Sequence, residues 1–374
     1  MFQTYLLPVR TAVTVFPLLA LVVMLPVAVV SYRRRGRAGG WTTLVFYCFL
    51  FYLLAAFMQT VIPLPADPSG YCATQSYASS PQLRPFYFVD VMSTRAQVSG
   101  TWLNPATWST ALNLVLLAPL SLFLRYLSGV RFLPAVALGF GVSLFFELTQ
   151  LTGLWFIYPC AYRLFSVDDL ILNTLGAALA WIVAGPLIRL LPDLDPERDR
   201  RRYATRVTVT RRVLALTTDV IAFFVLTLLV VGLVKLFGGP TSLRPPAVAA
   251  LAVIYFLLVP IQTGSTVGKR AMLLKLERTD GRRAGPIALL VRNGVLYSPL
   301  WLAWLALEVD HWNIFGEPQQ LLIPVGLLIS LLVVGVWTPL AVFFGDEPAP
   351  YERLTRTQNV AVVRTEPADR TQAS

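Results

Sequence analysis

A glutamate and a glutamine stand in a run of apolar residues, where hydrocarbon is expected around their side chains. Residues 145–153 read FFELTQLTG, and Glu147 and Gln150 share a helical face with Gly139 and Ser143, at spacings of four, four and three. A carboxylate in hydrocarbon is strongly unfavourable unless it faces water or a polar partner. We therefore predict that Glu147 belongs to a functional pocket, as a ligand-binding charge or as its support.

The following apolar stretch begins SVDDLILNTLGAALAW and carries a second face of polar and small residues. Asp169, Asn173 and Gly176 fall at helical spacings, and Asp168 stands beside them at the same end. Consecutive membrane spans run in opposite directions. The polar end of this stretch and Glu147 are therefore expected at one depth, in the outer third of the membrane.

Polar residues from neighbouring segments are expected at that depth. Asn113 lies about one turn into the apolar stretch at 109–127, which precedes the Glu147 stretch. Arg163 lies on the short loop before Asp168, where it is expected to be a counter-charge. The predicted ligand pocket comprises Asn113, Glu147, Gln150, Arg163, Asp168, Asp169 and Asn173. For the amide side chains, the alternative is interhelical hydrogen bonding that serves packing alone.

Transmembrane helices must position these groups. The chain has 374 residues, 56% hydrophobic and only 14% charged, with a mean hydropathy of +0.64, whereas soluble domains carry roughly 25% charged residues. The sequence predicts an all-α, polytopic bundle of about nine spans, five plus four. They lie at 11–30, 41–62, 109–127, 132–152, 169–191, 213–237, 247–262, 286–307 and 320–344.

The charge distribution predicts the orientation of these spans. The net charge is +11, and the basic loops at 31–37, 125–131, 196–212 and 268–283 all fall on one side if nine spans alternate. Basic loops favour the cytoplasmic side, so the N-terminus is predicted outside and the C-terminus inside. This pattern favours a multi-pass protein of a bacterial cytoplasmic membrane over a nucleic-acid-binding protein.

The longest charged stretch divides the chain. We predict a five-span unit at 1–191 with a long outer loop at 63–108, a basic cytoplasmic linker at 192–211, and a four-span unit at 212–345. The polar segment 346–374 is predicted to be a disordered cytoplasmic tail.

The second unit has its own intramembrane charges. Asp219 and Arg292 are predicted at similar depths from the cytoplasmic side, which favours a buried ion pair. The loop GSTVGKR, with Gly264, Gly268 and Lys269, does not meet the phosphate-loop pattern, which needs four residues between the glycines and Ser or Thr after the lysine.

Cysteine and histidine usage restricts the chemistry. Cys72 and Cys160 both fall in predicted outer loops, where oxidation is permitted, so they form either a disulfide over the pocket or two free thiols. With one histidine and no cysteine cluster, we predict no metal site and no cofactor. No nucleophile–base arrangement can be assembled, which argues against an enzyme without excluding a carboxylate-only one.

Two family resemblances cover most of the chain. The ordered residues Asn113, Pro119, Glu147-x-x-Gln150, Arg163, Asp168-Asp169, Asn173 and Gly176 resemble the VanZ-like proteins over about 10–190. This family is associated with low-level resistance to glycopeptides such as teicoplanin. The long loop at 63–108 departs from that pattern.

The Arg212/Asp219 opening, the GSTVGKR loop, the downstream Asp-Gly turn and Arg292 resemble the RDD family over about 205–345. Val220 follows Asp219 where a second acidic residue would complete that pattern, which weakens an implied ion-transport role.

The leading hypothesis is a cell-envelope protein. Its outer pocket would bind an envelope component, such as a cell-wall precursor or a lipid intermediate, and so influence glycopeptide sensitivity. The alternatives are an ion or proton transporter that uses Glu147 and Asp219, and a scaffold whose basic loops recruit partners. Membrane lipids are expected partners and nucleic acid is not; the sequence leaves the oligomeric state open.

Overall fold

The computed structural model describes residues 2–62, 64, 67–74, 80–99, 105–304, 319–332, 334 and 348–363. Over these residues the chain is mainly α-helical, which confirms the predicted all-α polytopic fold. The physical reason is that a helix satisfies its own backbone hydrogen bonds, which hydrocarbon cannot do.

Seven helical stretches of the described residues are long and apolar enough to cross a membrane: Leu6–Arg35, Trp41–Val61, Thr107–Ser128, Phe132–Leu151, Val167–Ile188, Val209–Leu236 and Thr241–Thr263. They overlap the first seven predicted spans. Pro286–Leu296 and Ser298–Trp304 are bent by 68° and form either an eighth, broken span or a re-entrant loop. The predicted ninth span, 320–344, is described only at 320–332 and 334, so the count of nine stays a prediction.

The chain divides into two compact units, Met1–Val23 with Gly39–Leu194, and Met24–Ala38 with Asp195–Ser374. Helix α1 (Phe2–Arg35) contributes to both units. The first unit continues with α2 (Trp41–Val61), α3 (Pro68–Thr74), α4 (Tyr87–Ser99), α5 (Pro105–Leu116), α6 (Ala118–Ser128), α7 (Phe132–Leu151), the single turn α8 (Gly153–Phe156) and α9 (Val167–Ile188). The outer loop predicted at 63–108 thus contains α3, α4 and the start of α5.

Helix α9 is central to the first unit, since it packs against α5, α6 and α7. Small residues permit the close approach: a Cβ atom added to Gly176 would lie 1.7 Å from the carbonyl oxygen of Leu114. A Cβ atom on Gly139 of α7 would lie 2.7 Å from that of Ala177. The polar and small faces read from the sequence are therefore helix contact faces, which brings their polar ends together.

The second unit contains nine α-helices and two strands among its described residues beyond α1: α10 (Pro196–Tyr203), α11 (Val209–Leu236), α12 (Arg244–Val253), α13 (Val259–Thr263), α14 (Val267–Ala271), β1 (Leu274–Arg278), α15 (Pro286–Leu296), α16 (Ser298–Trp304), α17 (Gln319–Leu331), α18 (Pro350–Thr355) and β2 (Thr357–Ala361). A 3₁₀ turn at Thr241–Leu243 and a π segment at Ile254–Leu258 flank α12. Thr208 begins α11 as its N-cap, because its hydroxyl accepts from the Arg211 amide.

The prediction of a disordered tail from residue 346 is wrong over 348–363. Helix α18 packs against α15, and β2 pairs antiparallel with β1, with Leu276 opposite Asn359. Tyr351 and Glu352 are buried. Polar composition suggested disorder, but the segment is ordered by strand pairing and by the burial of these two side chains.

Candidate functional site

Glu147 lies near the C-terminal end of α7 and is only 3% exposed. Its Oε2 accepts a hydrogen bond of 2.9 Å from the backbone amide of Ser166, immediately before α9. Within the described part of the chain, Oε1 has no hydrogen-bond partner. Glu147 therefore anchors the loop before α9 through one oxygen, and its other oxygen can accept a further hydrogen bond.

The two adjacent aspartates at the start of α9 have different tasks. Asp168 is buried and accepts from the amides of Phe86 at 2.6 Å and Phe88 at 2.8 Å, so it holds the start of α4. Asp169 accepts through Oδ1 from the Asn113 side chain at 2.6 Å. Its Oδ2 has no hydrogen-bond partner among the described residues. Asp168 is thus a structural residue, whereas Asp169 has one oxygen that the described residues leave without a hydrogen bond.

Gln150 and Arg163 both bind the C-terminal end of α2. Gln150 donates to the carbonyl of Thr60 at 2.8 Å, and Arg163 Nη1 donates to those of Gln59 at 3.1 Å and Thr60 at 2.9 Å. The last carbonyls of a helix lack intrahelical partners, so these contacts complete α2. The predicted counter-charge role of Arg163 is corrected in part: it makes no direct ion pair with a described carboxylate.

Arg163 nevertheless belongs to one electrostatic cluster. Glu147 interacts electrostatically with Asp169 and Arg163, and Asp169 also interacts with Arg163. The Nε and Nη2 groups of Arg163 make no hydrogen bond to the described residues. Glu147, Arg163 and Asp169, hereafter the outer triad, therefore combine two carboxylates and a guanidinium, each with unused hydrogen-bonding capacity.

Asn173 lies deeper, one turn along α9. Its Nδ2 donates to Ser143 at 3.0 Å, while its buried Oδ1 has no partner among the described residues. This amide links α9 to α7, as the packing alternative for the amides expected.

A disulfide joins Cys72 of α3 to Cys160 in the loop between α8 and α9, with a Cα–Cα distance of 5.8 Å. The Tyr71 hydroxyl donates to the carbonyl of Tyr162 at 2.7 Å, and Gln82 forms a parallel bridge with Ser166. Three contacts thus fix the loop whose Ser166 amide binds Glu147. Sequence reasoning missed Gln82 and Ser166, because backbone pairing leaves no side-chain signature.

In the second unit, the predicted ion pair between Asp219 and Arg292 is wrong. The Asp219 carboxylate, fully buried, accepts hydrogen bonds of 2.6 to 2.9 Å from four groups: the hydroxyls of Tyr255, Thr266 and Tyr297 and the amide of Gly268. Similar depth along two helices did not determine which side chains met. Asp219 is satisfied by neutral donors, which hold the GSTVGKR loop onto α11.

Arg292 instead pairs with Glu352 of α18. Its Nη2 lies 3.2 Å from Glu352 Oε1, and Arg212 approaches Oε2 at 2.8 Å. Asn359 of β2 also donates to Oε1, at 2.6 Å. Burial acts to raise the pKa of Glu352, but the charges of Arg292 and Arg212 and the hydrogen bonds from Arg292 and the Ala349 amide together outweigh it, so this pKa lies below its usual value. The polar composition around residue 352 predicted a disordered tail, so Glu352 was not expected as the partner of Arg292.

The motif glycines and lysine each have a steric or electrostatic role. Gly264 ends α13 with a φ of 76°, and a Cβ atom on Gly268 would lie 2.1 Å from the carbonyl oxygen of Ala215. Lys269 is 5% exposed, and burial lowers its pKa to about 8. The loop therefore packs closely against α11 and contains one buried cation, Lys269.

The described residues contain no group of three or more His, Cys, Asp or Glu side chains arranged to hold a metal ion.

Comparison with protein families assigns both halves of the chain. Residues 49–189 match the VanZ/LLP1 family, and residues 206–346 match the RDD family. These two matched segments, hereafter the VanZ-like region and the RDD region, confirm both resemblances that the sequence motifs indicated. No curated protein and no solved structure matches it. The VanZ-like match includes the whole outer triad, whereas Glu352 and Asn359 lie beyond the RDD match.

Proposed function

We propose that the VanZ-like region binds an envelope component or lipid intermediate at the outer triad, and thereby influences sensitivity to teicoplanin-type glycopeptides. VanZ-like proteins are linked to the envelope and to antibiotic resistance. The observation that carries the proposal is the unused capacity of three neighbouring charged groups: Glu147 Oε1, Asp169 Oδ2, and Arg163 Nε and Nη2. Charged groups at membrane depth that are not saturated by the fold are candidates for ligand contact.

The composition of the triad restricts the ligand class. Arg163 offers two donors suited to a phosphate or carboxylate oxygen, whereas Glu147 and Asp169 require donors such as amine or hydroxyl groups. The proposed ligand is therefore an amphiphile whose headgroup carries both an anionic group and hydrogen-bond donors. Gln150, Asp168 and Asn173 position the site, because the fold uses their hydrogen bonds.

The transporter alternative receives less support. It requires Asp219 to gain and lose a proton, but both Asp219 oxygens are already held by two donors each. Protonation would disrupt a complete set of hydrogen bonds, which disfavours a cycle through this residue. A purified, reconstituted chain is therefore expected to show no ion flux that depends on Asp219.

The test is a comparison of single charge-neutralising variants in a glycopeptide-sensitive bacterial host. Expression of the wild type should change the minimal inhibitory concentration of teicoplanin, and Glu147→Gln should remove that change while the protein stays in the membrane. Asp90→Asn is the matched control, because Asp90 is an exposed carboxylate paired with Arg84. Equal activity of Glu147→Gln and wild type at equal abundance would overturn the proposal.

A binding measurement separates ligand recognition from the resistance phenotype. Native mass spectrometry of the purified chain should retain phosphatidylethanolamine, which has both headgroup features, more strongly than phosphatidylcholine, whose ammonium lacks hydrogen-bond donors. Glu147→Gln should reduce that preference and Asp90→Asn should not. Equal retention of the two lipids by the wild type would exclude this headgroup class.

A further inference from the structure

A small cavity of about 60 Å³ lies in the second unit and is lined by Lys269, Arg292 and Asn359, among others. Each of these side chains has one buried polar atom without a hydrogen-bond partner among the described residues: Lys269 Nζ, Arg292 Nε and Asn359 Oδ1. Leaving such groups unsatisfied is unfavourable, so three residues that each carry one and line the same cavity indicate a bound partner.

The charges around the cavity do not balance. Five charged side chains contribute, namely Arg212, Asp219, Lys269, Arg292 and Glu352. Three cations against two carboxylates leave one positive charge when Lys269 is protonated. Neither carboxylate forms an ion pair with Lys269, because Asp219 is held by four neutral donors and Glu352 by two arginines. The Lys269 ammonium lies instead over the ring of Tyr297, 5.8 Å from the ring centroid. This distance is at the limit of a cation–π contact.

We propose that this cavity binds one small monovalent anion, of halide or small-carboxylate size, between Lys269 Nζ and Arg292 Nε. A water molecule beside the anion would donate to Asn359 Oδ1. One water needs about 10–15 Å³ of such space, so the cavity admits an ion with a few waters and excludes a lipid headgroup. The site is distinct from the outer triad. Asn359 of β2 contributes to it, and this residue lies beyond the part of the chain that matches the RDD family.

The experiment measures the thermal stability of the full chain in detergent at constant ionic strength, with gluconate replaced stepwise by chloride. Chloride should raise the unfolding temperature of the wild type by roughly 2–4 °C at a concentration of about five times its dissociation constant, because only the folded chain offers the site. Bromide and acetate should act similarly. Sulfate, which is divalent, and gluconate, which is too large, should not.

Two adjacent cations provide matched variants. Lys269→Met replaces the buried ammonium with an apolar chain of similar length and should lose the chloride response. Arg270→Met removes an exposed cation next to it and should keep the full response. An equal chloride response in both variants would show a general salt effect and overturn the proposal.

Isothermal titration of the wild type with chloride against a gluconate background makes the outcome independent of how the variants fold. Saturable heat with one site per chain is expected. Absence of saturable binding in the wild type would overturn the proposal, since waters alone would then fill the cavity.

Discussion

Glu352 forms ion pairs with Arg212 and Arg292, for which the described helices of the RDD region provide no other carboxylate partner. Its oxygens lie 3.2 Å from Arg292 and 2.8 Å from Arg212, and its side chain is 1% exposed. Glu352→Leu should therefore lower the free energy of unfolding by roughly 3–5 kcal/mol, because Arg292 would remain buried and uncompensated.

Glu197→Leu is the matched control for this prediction. Glu197 pairs with Arg201 at 3.5 Å, with both side chains about 80% exposed, so the loss should be roughly 0–1 kcal/mol. Denaturant unfolding of both variants in detergent measures the difference. Comparable losses in the two variants would mean that the buried pairing is not formed.

Lys269 should make stability depend on pH above 8. Its pKa is lowered to about 8, first by burial and further by Arg292, while Asp219 and Glu352 act in the opposite direction. An unfolded lysine titrates near pH 10.4. Between these values the unfolded chain binds a proton that the folded chain lacks, so stability should rise with pH, by up to about 1.4 kcal/mol per unit.

Unfolding in gluconate buffers from pH 7 to 10 tests this, with the difference between wild type and Lys269→Met as the measured quantity. The relative stability of the wild type should be lowest below pH 8 and should increase above it. A difference that stays flat across this range would show that Lys269 titrates at its ordinary value.

At this scale the sequence located the important side chains better than it assigned their partners. Glu147 and Asp168 were found because carboxylates are rare in apolar runs. Their partners are the backbone amides of Ser166, Phe86 and Phe88. Every residue has such an amide, so the pattern of side chains cannot show which one is used. The hydrogen bonds of Arg163 were not predicted for the same reason, since it donates to backbone carbonyls.

At the scale of elements, Gly176 sets the distance between α9 and α5. A side chain there would meet the carbonyl oxygen of Leu114. Gly176→Ala should lower the free energy of unfolding by about 1–3 kcal/mol, because the two helices must separate. Purification yield and thermal unfolding in detergent report the effect.

Gly141 of α7 provides the comparison, because no atom lies within 4 Å of a Cβ atom added there. Gly141→Ala should be neutral or stabilising by up to about 1 kcal/mol, the helix-propensity difference. If Gly176→Ala is tolerated equally well, the close α5–α9 contact is wrong.

The disulfide between α3 and the loop before α9 permits a chemical test. In unreduced membranes, a thiol reagent that is applied after denaturation should label Cys48 alone, and after reduction it should label Cys72 and Cys160 as well. A Cys48→Ser variant removes the background label. Labelling of this variant without reductant would exclude the bond.

The helices were predictable from the sequence and the terminal strand was not. Each long apolar run predicts a span independently of the others, because a helix makes all its backbone hydrogen bonds within itself. Strand β2 is polar, and its partner β1 precedes it by two predicted spans. A short strand of this kind carries little signal of its own, and its structure depends on a distant segment.

For the molecule as a whole, strand pairing restricts the topology. Because β1 pairs with β2, residues 274–278 and 357–361 lie on the same side of the membrane. The chain between them must therefore cross an even number of times. No crossing, with the bent α15–α16 pair as a re-entrant loop, and two crossings, by that pair and by the predicted span at 320–344, both satisfy this condition. The strand pairing is therefore compatible with the predicted nine spans and also with seven.

Reporter fusions test the orientation. Alkaline phosphatase should be active when inserted in the outer loop near residue 80 and inactive after residue 374, where a green fluorescent protein should fluoresce. Active phosphatase at both positions would place the C-terminal segment outside and require an even number of spans.

The pairing of Arg292 with Glu352 also has a consequence for biosynthesis. The two residues are 60 positions apart, which corresponds to a delay of roughly 3–12 s at ordinary translation rates. During that interval the translocon must accept a helix whose central arginine still lacks its carboxylate. The second unit is therefore expected to mature in two steps, first insertion of its helices and then docking of α18 and β2. Chaperones and membrane proteases would encounter the intermediate in between.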